Sequence, residues 1–382
     1  MNTKNEIIYF DHASTTKIDD IVLNEMLPYL KDVYGNASSL HSVGRNAVKG
    51  LDNARDEIAS IINAKPDEIY FTSGGTESNN WAIKSSAICR QGKNKIVTSS
   101  IEHPATLNAI DSLKNYDIKV CKINPKKDGI VDVKDFSSNV DSNTFLTCCM
   151  TANNEVGTIQ PIKELCELSH KKGSLFFTDA VQYIGYNNLD VKELGVDMLS
   201  ASAHKFYGPK GVGFLYVKNG VKLKALLNGG HQERQKRAGT SNVAYIVGMA
   251  TALRLSRQNL IENNNKILSL RDAFIDMVLK EIPCAKLNGD RDKRIPSNAN
   301  FTFESINGDR LLYALDLNGI CASMGSACSA GDISPSHVLT NMGISEKDAF
   351  STLRFSFGKE NTLSQVEKCV KVLKDEIKKL QN

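Results

Sequence analysis

One short run, Ser202-Ala203-His204-Lys205, has the residue types and spacing best suited to chemistry, and a glycine-rich segment follows it directly. The lysine amine can form a Schiff base with an aldehyde, while the serine hydroxyl and the imidazole can reach a phosphate on the same molecule. The run therefore indicates pyridoxal phosphate as a cofactor. By itself it is also compatible with a turn that carries an ordinary surface lysine, so other residues must decide.

Two further polar runs stand where apolar strands are expected to end. Gly75 and Thr76, within the run 73–80, open a predicted helix and offer free amides and a hydroxyl to a phosphate. Asp179 follows the strand candidate 174–178 and could keep a pyridine nitrogen protonated. Each of the two is also compatible with simple helix capping. One strand–helix–strand unit separates Asp179 from Lys205, which suits two groups that hold opposite edges of one ring.

Three more side chains offer proton transfer, substrate binding and sulfur chemistry. His103 lies in a predicted loop, where it could stack on a ring or move protons. Arg354 lies on a predicted strand and could bind a carboxylate bidentately, or it could face solvent. Cys328 stands among small, polar residues, where a thiolate could act as a nucleophile. Cysteines in strand and helix contexts are instead predicted to be packing residues: Cys148, Cys149 and Cys166.

The predicted secondary structure places these groups at the edge of one sheet. Apolar strand candidates alternate with segments long enough for a helix, which is typical of an open, mostly parallel α/β sheet. Ligands of such sheets sit at the carboxyl ends of the strands, where the polar motifs fall. The strand candidates are 7–10, 68–72, 95–99, 119–123, 144–150, 174–178, 198–200 and 213–217, and the clearest helices are 48–62, 76–90, 105–113 and 162–171.

The pattern changes in the last third of the chain. A long helical stretch is predicted from Asn242 to about Ile282, followed by shorter strands at 299–303 and 352–356 and an amphipathic helix over 368–379. A chain of 382 residues suggests two domains, and we place the domain change near residue 257.

Composition narrows the class of protein. The 47 basic and 43 acidic residues leave a net charge of +4, too small and dispersed to predict direct nucleic-acid binding. The nine cysteines include no CxxC pair, which favours a reducing cytoplasm, and no metal site is expected at the cofactor. No apolar run approaches the ~20 residues that span a bilayer, so we expect no membrane partner.

From about Tyr9 to Gly358 the chain resembles the cysteine desulfurases, the NifS/IscS-like, long-loop group I branch of the class V, fold type I pyridoxal-phosphate enzymes. The resemblance rests on separate motifs in the family's order: GNASS at 35–39, TSGGTESNN at 72–80, EHP at 102–104, NNEVGTIQPI at 153–162, DAVQ at 179–182, SAHK at 202–205, QER at 232–234 and GSACSAG at 325–331. It implies a large cofactor-binding α/β domain over 14–257. A smaller α/β domain, formed by 1–13 and 258–382, would carry the cysteine loop.

The resemblance also implies a role for each site residue. Lys205 would form the Schiff base and act as acid and base, and Cys328 would accept the sulfur. Arg354 and Asn154 would orient the substrate, Arg354 through its carboxylate. The cofactor would be held by His103 stacked on the ring, Asp179 at the pyridine nitrogen, Gln182 at the phenolic oxygen, Asn154 beside it, and Gly75, Thr76, Ser202, His204 and the second subunit's Thr240 at the phosphate.

The implied reaction converts L-cysteine to L-alanine and leaves a persulfide on Cys328. The implied partners are a second copy of the chain and a sulfur acceptor, either an iron–sulfur scaffold or a thiolation enzyme, so Cys328 is also a candidate ligand during sulfur or cluster hand-off. The sequence does not identify the acceptor. Two departures from the family pattern are His231, at a position where glycine is usual, and Cys321, an additional thiol near the loop.

Two alternatives remain at this stage. A selenocysteine lyase or another class V lyase or aminotransferase would need no thiol nucleophile, which the intact GSAC run argues against. A scaffold protein that kept only the fold would be expected to lack a catalytic residue, yet Lys205, Asp179 and Cys328 are all present.

Overall fold

A computed structural model describes residues 7–325 and 334–381 of the protein, and its core is a seven-stranded sheet with helices on both faces. In chain order the strands are β1 (Ile8–Tyr9), β2 (Ile69–Thr72), β3 (Lys95–Ser99), β4 (Lys119–Ile123), β5 (Thr144–Cys148), β6 (Leu175–Asp179), β7 (Met198–Ser202), β8 (Gly213–Val217), β9 (Ala285–Leu287), β10 (Asn298–Phe303), β11 (Ile320–Cys321) and β12 (Thr352–Ser356).

The helices account for most of the intervening chain. They are α1 (Asp20–Lys31), α2 (Ser42–Ile61), α3 (Gly75–Ile88), α4 (Pro104–Asp111), α5 (Val133–Ser138), α6 (Ile162–Lys171), α7 (Val191–Leu194), α8 (Gln232–Gln235), α9 (Val243–Gln258), α10 (Leu260–Glu281), α11 (Gly308–Leu317), α12 (His337–Asn341), α13 (Glu346–Ala349) and α14 (Leu363–Gln381).

The large sheet has the strand order β2-β8-β7-β6-β5-β3-β4. Strands β7, β6, β5, β3 and β4 run parallel, and β8 is antiparallel to both of its neighbours, β2 and β7. The predicted mostly parallel α/β sheet is therefore confirmed. The carboxyl ends of β3, β5, β6 and β7 lie at one edge of the sheet, because these strands are parallel and are joined by crossover connections.

Both faces of the sheet are buried, which explains the nearly continuous apolar runs of its strands. Phe176 and Phe214 pack on one face, together with helices α1, α2 and α9. Their chain neighbours Phe177 and Leu215 pack on the opposite face, against α3 and α4. Successive side chains of a strand point to opposite faces, so two separate apolar layers form on one sheet.

A second apolar core follows in the last third of the chain. The antiparallel strands β12, β10 and β9 pack against α10, α11 and α14, around Phe274, Phe301 and Phe355. The first described residues belong to this core as well, since β1 pairs with β11 and Phe10 packs against Phe357. The domain bounds given above stay a prediction.

The predicted helical stretch from Asn242 to Ile282 is wrong in one respect, because it is two helices. Helix α9 ends at Gln258, and α10 begins at Leu260. Between them the side chain of Asn259 donates to the carbonyl of Leu255, which offers the chain an alternative to continuing the helix. Among the described residues, none of the helices has the length and apolar character needed to span a bilayer.

Candidate active site

A cavity of about 520 Å³ opens at the carboxyl ends of the parallel strands. Its volume lies in the range of small-molecule and cofactor sites. Ten of the predicted site residues line it: Gly75, Thr76, His103, Asn154, Asp179, Gln182, Ser202, His204, Lys205 and Arg354. Thr240 does not line it and is exposed, and Cys328 lies outside the described residues.

Lys205 enters the cavity from a tight turn. Strand β7 ends at Ser202, and a single 3-10 turn over Ala203–Lys205 follows it. The Lys205 Nζ donates to the carbonyls of Ala13 (2.6 Å) and Ser14 (2.7 Å). The turn needs Gly208, because a Cβ there would lie 2.8 Å from the Cβ of Ala203. The glycine-rich run after the lysine therefore brings its amine to the N-terminal segment of the chain.

Asp179 lines the same cavity from the end of β6 and is 5% exposed. One carboxylate oxygen, Oδ1, accepts from the backbone N–H of Val181 at 3.0 Å. The other, Oδ2, accepts from Nδ2 of Asn79 at 2.7 Å. Sequence reasoning assigned no role to Asn79, although its position four residues after Gly75 predicts that it shares that helix face.

His103 is the N-cap of α4, with Pro104 as the first helical residue. Its Nδ1 accepts from the backbone N–H of Ala105 at 3.1 Å, so the proton of the neutral ring is on Nε2. Burial lowers the pKa of His103, and the opposing effect of Asp179 does not cancel this. A neutral imidazole therefore lines the cavity between Lys205 and Asp179.

The other end of the cavity is a helix N-terminus without a side-chain cap. Helix α3 starts after Gly74, whose φ of +148° favours glycine, and its N-cap makes no side-chain hydrogen bond. A Cβ on Gly75 would lie 2.8 Å from Val181 Cγ2. Free amides and the positive end of the helix dipole therefore face the cavity between Ser202 and Thr76.

His204 lies at this same end. Its Nδ1 is 3.2 Å from the Thr15 hydroxyl, and burial, together with Lys205 and Lys210, lowers its pKa to about 4. The ring is thus neutral at physiological pH and serves as a hydrogen-bonding group, while the positive charge of this end comes from Lys210 and the helix.

Arg354 closes the side of the cavity, and it is buried (2% exposed), not solvent-facing. Its Nη1 donates to the carbonyl of Asn154 at 2.8 Å. Its Nη2 donates to the Ser14 hydroxyl at 2.7 Å and to Asp11 Oδ1 at 3.0 Å. Its Nε has no hydrogen-bond partner among the described residues. A guanidinium with an unused, buried N–H is suited to receive a carboxylate.

Two buried glutamates, to which the sequence analysis assigns no role, lie close to these residues. Burial raises the pKa of Glu102 to about 8, and Glu102 Oε1 accepts from the N–H of Met150 at 2.8 Å. Burial also raises the pKa of Glu155, which lines the cavity and accepts from the Ser336 hydroxyl at 2.5 Å. Both glutamates belong to motifs that carry the family resemblance, EHP at 102–104 and NNEVGTIQPI at 153–162, and that is the signal that could have found them.

The other cysteines and His231 have a structural explanation. Cys148, Cys149 and Cys166 are buried, as predicted, and burial raises the pKa of each thiol, which makes them poor nucleophiles. Cys321 is half-buried on β11, and burial raises its pKa as well. His231 has a φ of −88°, so its position does not require glycine.

The cavity fits pyridoxal phosphate. The uncapped helix end, with Ser202 and Thr76, matches a phosphate, and the amine of Lys205 matches an aldehyde. The carboxylate of Asp179 matches a protonated ring nitrogen. The buried Oδ1 of Asn79, a residue that lines the cavity, has no partner among the described residues, as expected of a polar site whose ligand contributes some of the hydrogen bonds.

Comparisons with known proteins agree with this geometry. The family model described as aminotransferase class-V matches residues 8–369. A protein named cysteine desulfurase IscS from Clostridium botulinum is 45% identical, over 98% of this chain and 95% of the relative. Another protein of that name, from Methanosarcina thermophila, is 43% identical over 100% of this chain and 95% of the relative.

Solved structures give the same result. A protein titled NifS-like superposes with a TM-score of 0.92 at 35% identity, covering 98% of this chain and all of its own. The fold type I assignment made from the sequence is therefore confirmed. The chain belongs to the cysteine desulfurase family of the class-V aminotransferases, which depend on pyridoxal phosphate.

Proposed function

We propose that this protein is an L-cysteine desulfurase that releases L-alanine and places the sulfur on Cys328. The observation that carries the proposal is the joint placement, in one cavity, of Lys205, Asp179, an uncapped helix end and the buried Arg354. The chain's near-full-length similarity to proteins named cysteine desulfurase supports the same reaction and does not favour the selenocysteine lyase alternative.

The residues at the two ends of the cavity would hold the cofactor. The amides of Gly75 and Thr76, with Ser202 and the neutral His204, would bind its phosphate. Asp179 would bind its ring nitrogen, and His103 would stack on the ring. Gln182 would reach the phenolic oxygen; its Nε2 donates at present to the carbonyl of Ala13 at 2.9 Å. Asn154 would lie beside the ring. When bound, the cofactor supplies a carbonyl carbon that joins an amine and a protonated ring that accepts electrons from the substrate Cα.

Arg354 would bind the substrate carboxylate. The guanidinium is already anchored by Asn154, Ser14 and Asp11, so its orientation costs little when substrate arrives. The Arg354 Nε–H is buried and has no partner among the described residues, so a carboxylate that bound it would remove the cost of an unsatisfied buried donor.

Lys205 and His103 would handle protons. The carbonyls of Ala13 and Ser14 fix the Lys205 Nζ at the cavity wall, from which the amine can take the proton of Cα. His103 rests as a neutral ring because burial lowers its pKa, so it would first accept a proton, at the expense of the hydrogen bond from the Ala105 N–H to Nδ1, and then return that proton.

The sulfur step balances with one thiol and no added oxidant. The Cys328 thiolate attacks the substrate Sγ, an S–S bond forms and the Cβ–Sγ bond breaks. The electron pair of that bond stays on Cβ, which then takes up a proton. L-cysteine and the Cys328 thiol thus become L-alanine and a Cys328 persulfide.

The test is the formation of L-alanine from L-cysteine by the holoenzyme in the presence of a thiol. We expect one alanine for each sulfide, and we expect Cys328→Ala to keep the cofactor absorbance and lose sulfide release. The matched control is Cys321→Ala, which should keep both. Full sulfide release by Cys328→Ala would refute the persulfide role.

A second copy of the chain would complete the assembly. Helix α1 buries Val22 and Met26 but exposes Leu23, Leu27 and Leu30, which are spaced as one stripe. In the segment that follows α1, Tyr34 (75% exposed) and Leu40 (91% exposed) are exposed as well. A homodimer through this surface would cover it, and the exposed Thr240 would reach the other subunit's cofactor phosphate. Leu27→Glu should lower the mass measured by light scattering from dimer to monomer.

The persulfide would pass to an acceptor protein of the cytoplasm, either an iron–sulfur scaffold or an enzyme that thiolates tRNA or a cofactor. During this hand-off Cys328 would be the residue in contact with the acceptor, and a candidate ligand for a nascent cluster. Persulfide labelled with ³⁵S and mixed with cell extract would identify the recipient.

A further inference from the structure

Asn79 is a buried side chain that contacts Asp179, the carboxylate expected at the ring nitrogen, and the proposed function assigns it no role. It is 1% exposed, and its amide uses both N–H groups: one donates to Asp179 Oδ2 at 2.7 Å and the other to Thr106 Oγ1 at 3.0 Å. The amide therefore links helix α3, which begins at the phosphate end, with helix α4, which follows His103, and with the end of β6.

The orientation of this amide is determined by its neighbour. If the oxygen and nitrogen of Asn79 were exchanged, the amide oxygen would face a carboxylate oxygen at 2.7 Å, which is repulsive. The N–H must therefore point at Asp179. The amide oxygen then faces away from Asp179 and has no partner among the described residues. An unsatisfied buried oxygen costs free energy, and a side chain that served only for packing would not need to include one.

The surroundings of Asp179 make the hydrogen bond that it accepts from Asn79 important for its charge. The carboxylate accepts hydrogen bonds from the Val181 N–H and from the Asn79 amide. Asp179 interacts electrostatically with Glu102, which burial keeps neutral at pH 7, and with His103, which is also neutral. In such a buried site the strength of each hydrogen bond to a charged group is high.

We infer that Asn79 is a positioning residue that limits the proton affinity of Asp179, so that the proton shared with the cofactor ring stays on the ring nitrogen. The inference rests on the proposed function. Without the amide N–H, the carboxylate becomes a stronger proton acceptor and takes that proton. The ring then withdraws electrons less strongly, both from the bond to Lys205 and from the substrate Cα.

The test uses the holoenzyme of Asn79→Leu, which has similar size and no donor, and of Asn79→Ala in case leucine prevents folding. The readout is the pH midpoint of the visible absorbance of the bound cofactor. We expect an upward shift of about one pH unit, since a hydrogen bond to a charged group is worth roughly that much. Exchange of the Cα proton of L-alanine in D₂O should slow about tenfold for the same reason.

The controls separate the inference from the function on which it rests. Asn80→Ala removes the same type of side chain from the next position, where it donates only to the carbonyl of Thr76, and should leave the midpoint unchanged. Asp179→Asn should shift the midpoint further than either Asn79 variant. A wild-type midpoint in both Asn79 variants, alongside a shifted Asp179→Asn, would overturn the inference and leave the function intact. Failure of the wild-type protein to bind pyridoxal phosphate would overturn both.

Discussion

The two ends of the cofactor cavity differ in the groups that form them, backbone at one end and side chains at the other. The phosphate end is mainly backbone: the start of α3 with Gly74 and Gly75, beside the neutral His204 and the charged Lys210. The ring end consists of buried side chains from distant parts of the chain, among them Asp179, Lys205 and Arg354. The difference predicts a division of labour, in which the phosphate end provides affinity for the cofactor and the ring end provides chemistry.

This division can be tested with two measurements on each variant: the dissociation constant of pyridoxal phosphate, from a fluorescence titration, and turnover at saturating cofactor. Variants of the ring end should change turnover more than affinity. Variants of the phosphate end should do the reverse. A variant that moves both equally would mean that the ends act as one unit.

The largest effect is expected for Lys205→Ala. Loss of the amine removes the acid and base at Cα, so alanine formation should fall by about 10³- to 10⁴-fold. Cofactor should still bind through the phosphate end, although without the covalent bond. The exposed Lys218→Ala is the control and should behave as wild type. Turnover within tenfold of wild type would contradict the assignment.

Arg354→Lys should have the next largest effect. The substitution keeps the charge but loses the forked donors, so kcat/KM for L-cysteine should fall about 10- to 100-fold. Pyridoxal phosphate affinity should stay within about threefold, because Arg354 lies away from the helix end. An unchanged KM would show that the substrate carboxylate binds elsewhere.

Gly74→Ala tests the phosphate end. A side chain at φ +148° and ψ −174° is strained, and the cost should be about 1–3 kcal/mol in the free energy of unfolding, measured with urea. Cofactor affinity should fall about tenfold, equivalent to ~1.4 kcal/mol, while turnover at saturation is kept. Gly92→Ala, at φ +84° with open space around it, is the control and should cost less in unfolding and nothing in affinity.

The smallest effect on turnover is expected for Glu102→Gln, which instead tests, through stability, the burial of the ring end. Because burial raises the pKa of Glu102 from its ordinary 4.5 to about 8, the folded state binds the proton more tightly than the unfolded state. This contribution to stability is complete below pH 4.5 and is lost as the pH rises through about 8. It should amount to a few kcal/mol.

Glutamine does not titrate, so the unfolding free energy of Glu102→Gln should fall less between pH 5 and pH 8 than that of the wild type. The exposed Glu346→Gln should keep the wild-type dependence. Equal slopes in Glu102→Gln and wild type would mean that Glu102 is ionised in the folded protein.

Features carried by local sequence were predictable. The alternation of apolar strands with helices gave the sheet, and residues at strand ends gave most of the cavity lining. The glycine-rich turn gave the placement of Lys205, because glycine spacing reflects backbone geometry directly.

Features made by contacts between distant segments were not predictable. Three successive residues, Glu233, Arg234 and Gln235, adopt positive φ without glycine. They can do so because Glu233 forms a buried, bidentate pair with Arg55 and accepts from the Phe71 N–H, and no local signal announces such a pair. The role of Asn79 was not predictable for the same reason, since it depends on contact with Asp179, one hundred residues further along the chain.

The N-terminal segment has a consequence for the order in which the protein matures. The carbonyls of Ala13 and Ser14 hold Lys205, yet this segment is itself held by Arg354 and by Ser356, which accepts from the Ala13 N–H at 2.8 Å. A growing chain emerges from the ribosome with its N-terminus first. More than three hundred further residues must therefore be synthesised before Arg354 and Ser356 can bind Ala13 and Ser14. The lysine environment can be completed only late in translation, so a nascent chain should acquire its cofactor near the end of its synthesis or after release.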